Sequence, residues 1–418
     1  MARLNTRGHA AAAAAIETMI VGPTPHAIVI AGPSGIGKTT LALDLAAGLL
    51  CDAPDPSDRP CRTCRGCHLV ERGVHSDLHR LVPAGAGNQI RIGDRNEPEA
   101  GSVRRLISDL ALLPVEGGAR VALVERAERM NEDAQSALLK TLEEPPAGVT
   151  IILCVDGEEQ LLPTVRSRCV RLRLGPVSIR DVEGILADQG VADPPTAARL
   201  ARLAAGRPGV ARTWALAPDA VLGRAEIARS LLDLAEARPA RRISVGRELL
   251  ATAAIVVRAL DRAERPAEPR EVGGRARRGS KGATAAAATA PPDDSNAGDP
   301  DAPTDADADE SADAARDVRA PAAERRRAAA TLVEIWRDVA RDLLLVSLGD
   351  ERRLRDPALL DDLRAAAGLT GGPGAPVAEL SAFLARLDAT AELLEANVSP
   401  ELAVDVLLLA WPARSRAA

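Results

Sequence analysis

Two clusters of residues near the amino end of this 418-residue chain have the types and spacing for chemistry. The first, Gly32-Pro33-Ser34-Gly35-Ile36-Gly37-Lys38-Thr39, fits the pattern G-x-x-x-x-G-K-[ST] in full. Gly32, Gly35 and Gly37 let backbone amides turn inward around phosphate oxygens, and Lys38 reaches the terminal phosphates. Thr39, followed by Thr40, is placed to hold magnesium, and the helix behind the loop offers its positive end. The pattern predicts a site for ATP or ADP with Mg. Whether the loop binds nucleotide or keeps its glycines for shape stays open from the residues alone.

The second cluster is Cys51, Cys61, Cys64 and Cys67, spaced C-x9-C-x2-C-x2-C. Two overlapping C-x2-C steps bring three thiolates together, and Cys51 supplies the fourth corner of a tetrahedron suited to zinc. Four protein ligands leave no position for water, so the expected ion is structural. His68 and His75 are near enough in sequence to replace a ligand, but the full cysteine set makes them unnecessary. Cys154 sits in an apolar run and reads as a small core filler.

A phosphate loop of this type ordinarily works with a later apolar strand that ends in paired acids, one near magnesium and one orienting the attacking water. Here that strand is VALVERAERM, Val121 to Met130, and its end is Glu125-Arg126. Glu125 can still reach a metal, but a guanidinium at 126 neither accepts a proton nor polarises water. Glu128 takes the role only if the register shifts.

The elements that must position these groups follow from hydrophobic periodicity. AIVI (27–30) is a short strand feeding the loop, and TTLALDLAAGLL (39–50) is the helix behind it. Residues 51–80 read as an irregular insertion. A helix over 102–114, the strand VALVER, a helix over 131–146 capped by Asn131 and stopped by Pro145-Pro146, and the strand VTIILCV (149–155) complete an alternating order. Strands alternating with helices imply a parallel sheet covered by helices on both faces. Beyond Pro176 the pattern is helical. It is interrupted over about 262–324 by a segment nearly free of Leu, Ile and Phe, basic at first and acidic later. Such a stretch buries too little apolar surface to offset its ordering entropy and is expected to be a disordered insertion.

Composition narrows the function classes. Hydrophobic residues make up 46% of the chain, ample for two or three cores, while the aromatics are only Trp214, Trp336, Trp411 and Phe383. That scarcity argues against base stacking on aromatic platforms. The formal charge of -6 provides no global basic field for nucleic acid. Only Lys38, Lys140 and Lys281 are lysines, against fifty arginines, so lysine in the loop is consistent with a site that needs a compact ammonium. The apolar run HAAAAAAIETMIV is broken by Glu17 and reads as an ordinary first helix. No run is long enough for a membrane span, and a cytoplasmic location is expected.

The combination HAIVIAGPSGIGKTT, four-cysteine module, ALLKTLEEPP and LLPTVRSRC resembles the delta-prime family of bacterial DNA polymerase III clamp-loader subunits, within the AAA+ group. The matching motifs lie between about residues 20 and 215. The resemblance implies an α/β AAA+ module with a zinc-binding insertion over 1–175, a helical lid over 176–213, and an all-α collar domain over 214–418. The partners it implies are motor subunits of gamma or tau type and a delta subunit in a hetero-pentamer, with the sliding clamp and primed DNA reached through that complex. It also implies that Arg168, in Ser167-Arg168-Cys169, points into a neighbouring subunit's ATP site. Family motors carry Gly-Ser-x-Arg in the lid, where this chain has Gly206-Arg207-Pro208-Gly209, leaving glycine at the arginine's place. With Arg126 as well, the expectation is negligible ATPase activity of its own within the DNA-directed DNA polymerase III holoenzyme. The alternatives are a gamma- or tau-type motor and, from another class, a zinc-dependent DNA-binding regulator using the basic run Arg275 to Lys281.

Overall fold

The computed structural model describes residues 3–84, 88–94, 96, 98–116, 118–264, 321–368, 377–396 and 398–412. Five strands form one parallel sheet: β1 (Ala27–Ala31), β2 (Leu78–Leu81), β3 (Arg120–Val124), β4 (Val149–Val155) and β5 (Val170–Arg173), in the order β2-β3-β4-β1-β5. Register is set by pairs such as Val29 with Leu153 and Val124 with Leu153.

β1 and β4 are buried along their whole length because helices cover both faces. Alternation divides their side chains. Ile28, Ile30, Ile152 and Cys154 pack in one core with α1 (Ala10–Val21) and α2 (Lys38–Leu49), whereas Ala27, Val29, Ile151 and Leu153 pack in a second. That second core takes Val103, Leu106 and Leu110 of α4 (Val103–Leu110) and Leu138 and Leu142 of α5 (Glu132–Glu143). Ser102 and Asn131 cap these two helices by accepting from the amides of Arg105 and Ala134.

The expected alternation of strands and helices is therefore present, with corrections. Residues 51–80 are not irregular throughout: α3 (Arg65–Glu71) lies within them and edge strand β2 begins there, at Leu78. The opposite edge, β5, has a mostly exposed pattern, so no apolar run announced it. β3 stops at Val124, which puts Glu125 and Arg126 beyond the strand rather than at its end.

After a four-residue helix α6 (Pro163–Arg166), α7 (Ile179–Asp188), α8 (Pro194–Leu203) and α9 (Pro208–Leu216) pack against the phosphate-loop side of the sheet. Position 213 lies inside α9. A third core unites α10 (Pro218–Asp233), α11 (Pro239–Glu264), α12 (Ala322–Ser347), α13 (Leu360–Ala366), α14 (Val377–Glu395) and α15 (Pro400–Ala410). Three of the four aromatics meet there, with Phe383 and Trp411 rings 4.9 Å apart edge to face. The expected insertion falls mostly outside the described residues, but its proposed limits shift. α11 continues through residue 264 and α12 begins at Ala322, so residues 262–264 and 322–324 are helical. Among the described residues no helix is long and apolar enough to cross a membrane.

Candidate functional site

The phosphate loop joins β1 to α2, as its chemistry requires. Gly32 (φ 154°), Gly35 (φ 76°) and Gly37 (φ 112°) all have positive φ, which L residues avoid. A Cβ on Gly32 would lie 2.4 Å from the Leu174 carbonyl oxygen, and one on Gly35 would lie 2.6 Å from Val210 Cγ2. Both backbone conformation and space therefore demand glycine. The loop borders a cavity of about 410 Å³ whose walls include Ser34 to Thr40, Glu125, Arg126 and Asp156. Shape, glycines and the amino end of α2 fit a nucleotide's phosphates.

Within this cavity Lys38 is 8% exposed, and its Nζ donates to the carbonyl oxygens of Gly32 (2.7 Å) and Pro33 (3.2 Å) and to Asp156 Oδ1 (2.6 Å). Thr39 Oγ1 donates to Glu125 Oε2 at 3.4 Å, while the other Glu125 oxygen accepts from Arg80 Nε at 3.0 Å. Arg126 lines the cavity with φ 54°, a left-handed conformation costing roughly 1–2 kcal/mol for a side-chain-bearing residue. Its guanidinium is 3.7 Å from Glu128. The Glu128 carboxylate is buried, neither oxygen has a hydrogen-bond partner among the described residues, and burial raises its pKa above the ordinary glutamate value. Glu128 is not among the residues that line the cavity, so in this register its carboxylate does not stand where the water-orienting acid is missing.

Two more elements complete the cavity. The Gly209 amide at the start of α9 donates to Gly35 O at 2.8 Å, holding that helix against the loop, and Arg212 one turn on lines the cavity. Asn5, Thr6, Arg7 and His9 form another part of the wall. Asn5 and Thr6 are held by Asp44 of α2, which is 1% exposed and accepts from the Asn5 amide (3.1 Å), the Thr6 amide (2.8 Å) and the Thr6 hydroxyl (2.6 Å). Asp156, Arg80, Arg212 and Asp44 escaped the sequence reading. Asp156 had a usable signal: it is the first residue after β4, at the carboxyl end of a strand beside β1, where ligands of parallel sheets gather.

The four cysteines predicted as ligands come together, each offering a sulfur within 4.8 Å of the others. Cys51 Sγ and Cys64 Sγ are 3.8 Å apart, close to the tetrahedron edge of about 3.8 Å implied by zinc–sulfur bonds of about 2.3 Å. The donor set and spacing thus fit one metal ion. Backbone amides point at the sulfurs: those of Ala53 and Cys61 donate to Cys51, and that of Cys67 donates to Cys64. The Thr63 amide and hydroxyl beside Cys61 pull its thiol down to about 6, whereas burial pushes Cys67 up. His75 is directed away from the cluster: its Nδ1 accepts from the Asp77 amide and its Nε2 lies 3.6 Å from Glu116. His68 faces Glu71 at 3.7 Å. Arg62, between two of the cysteines, donates to the Arg3 carbonyl oxygen at 2.9 Å and pairs with Asp44. The cysteine module thereby grips the segment that walls the nucleotide cavity.

Arg168 follows α6 and is not among the residues lining the cavity. Its Nη1 donates to the Thr164 carbonyl oxygen at 2.9 Å, and its Nη2 is 2.6 Å from Glu143 Oε1 at the end of α5. Cys169, the next residue, is partly buried against the second core, and burial raises its thiol to about 11.

Comparison with known proteins supplies a context for this geometry. Residues 10–178 match the family described as DNA polymerase III, delta subunit. Over 146 residues, 35% of this chain and 42% of the relative, the chain is 40% identical to a DNA polymerase III subunit delta' of Pseudomonas aeruginosa. It is 34% identical to that of Escherichia coli over 186 residues, 44% of this chain and 53% of the relative. A DNA polymerase III subunit tau of Salmonella typhimurium is 31% identical over 189 residues, 44% of this chain and 28% of the relative. The chain spans about half the length, or less, of these curated relatives.

Proposed function

We propose that this chain, over residues 10–178 a relative of the delta-prime subunits of DNA polymerase III, is a non-motor subunit of a sliding-clamp loader. In this reading it assembles with gamma- or tau-type ATPase subunits and a delta subunit in a hetero-pentamer. It reaches the clamp and primed DNA through that assembly. Residues 1–175 are its AAA+ module, 176–213 its lid and 214–418 its collar, and Cys51, Cys61, Cys64 and Cys67 hold a structural zinc.

The observation that carries the reading is the placement of Arg126. It lines the chain's own cavity beside Glu125, where hydrolysis needs a base, while Glu125 is engaged by Arg80 and Glu128 is buried. Arg168 lies outside that cavity, on an exposed turn from which a guanidinium can be delivered to another subunit. A cation placed on a transferring phosphoryl group stabilises its transition state, and such fingers contribute about a thousandfold or more in rate. The test is a loader reconstituted with its motor subunits, clamp and primed DNA. Arg168→Ala should lower ATP turnover without preventing assembly, and unchanged turnover removes Arg168 from catalysis.

One contact favours the second reading, a gamma- or tau-type motor: Glu125 remains 3.4 Å from the hydroxyl of Thr39, where a loop magnesium would bind. Steady turnover by the isolated chain, abolished in Lys38→Ala, would establish that alternative.

A further inference from the structure

The contacts of Lys38 assign a function to Asp156 that the loop motif does not contain. A lysine ammonium has three protons, and here three acceptors take them: Gly32 O at 2.7 Å, Pro33 O at 3.2 Å and Asp156 Oδ1 at 2.6 Å. Two of these acceptors belong to the loop itself. The third is a carboxylate brought in by β4, whose register with β1 sets Val155 beside Ala31 and so delivers Asp156 to the loop's mouth. Asp156 lines the cavity together with Glu125, the other carboxylate facing the loop.

A phosphate chain meets this arrangement unevenly. The phosphates nearest the sugar are met by loop amides and by the amino end of α2, all positive or neutral. Lys38 reaches the last two phosphates of a triphosphate, and the final one brings an added charge next to the Lys38–Asp156 contact. In this chain that ammonium is already neutralised by a carboxylate in direct contact, so the added anion must displace Asp156 or lie beside it. Of the arginines that line the cavity, Arg7 pairs with Asp188 and Arg126 lies 3.7 Å from Glu128, both at exposed positions, and on the α9 side stands the exposed Arg212. Their attraction is therefore weakened by water, whereas the Lys38 end of the contact is buried.

We infer that Asp156 makes this pocket favour a nucleoside diphosphate over the corresponding triphosphate. The discrimination is a property of the chain's own cavity. It goes beyond the role proposed for Arg168 and stands or falls separately from it, because neither neighbouring subunits nor turnover enter the comparison.

The test is calorimetric titration of the full chain with ADP and with ATP at one fixed free magnesium concentration. Wild type should bind ADP about tenfold more tightly than ATP, equivalent to about 1.4 kcal/mol. Asp156→Asn, which keeps the shape and removes the charge, should bring the two affinities within about threefold, chiefly by tightening ATP. Asp156→Ser should do the same if the asparagine variant fails to fold, and Lys38→Ala should weaken both nucleotides. Equal wild-type affinities, or a ratio unchanged in both Asp156 variants, overturns the inference.

Discussion

The guanidinium of Arg168 is 2.6 Å from Glu143, joining the turn after α6 to the last residue of α5. Both side chains are substantially exposed, at 35% and 49%. Exposed ion pairs of this kind contribute about 0–1 kcal/mol, so the contact sets where the guanidinium rests far more than whether the chain folds. A contact this weak is compatible with the trans role proposed for Arg168, which requires its guanidinium to leave Glu143.

Arg168→Ala should therefore separate stability from catalysis. Its unfolding free energy in urea should stay within about 1 kcal/mol of wild type. On the proposed reading, turnover of the reconstituted loader should fall by about a thousandfold or more at the site the arginine would serve. A large loss of stability would instead make Arg168 a structural residue, and the turnover result would then say nothing about a finger.

Metal analysis should find one zinc per chain, lost in Cys67→Ser. Cys67 is fully buried, and a structural four-thiolate site contributes about 10 kcal/mol of apparent binding energy at neutral pH. Binding requires thiolates, so the ion should be retained at pH 7 and released as acid reprotonates the sulfurs. Chelation should also increase proteolysis within residues 3–9, because Arg62 links the cysteine module to Arg3 and Asp44. Unchanged cleavage there after verified metal loss would sever that link.

The parts legible in the sequence were those encoded by contiguous spacing. The glycine loop, the cysteine set and the buried strands β1, β3 and β4 each declare themselves within a few residues. Asp156 meets Lys38 across 118 positions, and Arg80 meets Glu125 across 45, so only sheet register reveals those pairs. β5 reads Val-Arg-Leu-Arg at an edge, too short and too polar for an apolar run, and β2 is only four residues long. Gly209 was legible as a missing arginine, yet the reason no arginine fits became visible only with its packing against Gly35.

Acid should weaken the sheet edge through Asp77. Burial alone would raise this carboxyl, but the amides of Glu116 and Val115 together with Arg120 outweigh it and hold its pKa below the ordinary aspartate value. The folded state thus binds this proton less readily than the unfolded chain does. The contribution is present above the unfolded value near 3.8 and is lost as pH falls through the lower folded value. The stability gap between wild type and Asp77→Asn should be wide at pH 6 and narrow toward pH 3. A gap that is constant over that range would place the value of Asp77 in shape rather than charge.

Installing the motor-type lid arginine should damage this chain rather than activate it. A Cβ on Gly209 would stand 2.9 Å from Gly35 O and 3.1 Å from Gly35 Cα, both backbone atoms, at the point where the Gly209 amide bonds the loop. Gly209→Arg must push α9 away from the loop, an overpacking cost of about 1–3 kcal/mol. The displaced helix would also carry Arg212 away from the cavity wall. Thermal unfolding should shift to lower temperature, and ATP turnover by the isolated chain should remain at background, because Arg126 still occupies the place of the base. A Gly209→Arg protein as stable as wild type that hydrolyses ATP would mean that α9 moves freely and that the missing arginine alone had silenced the pocket.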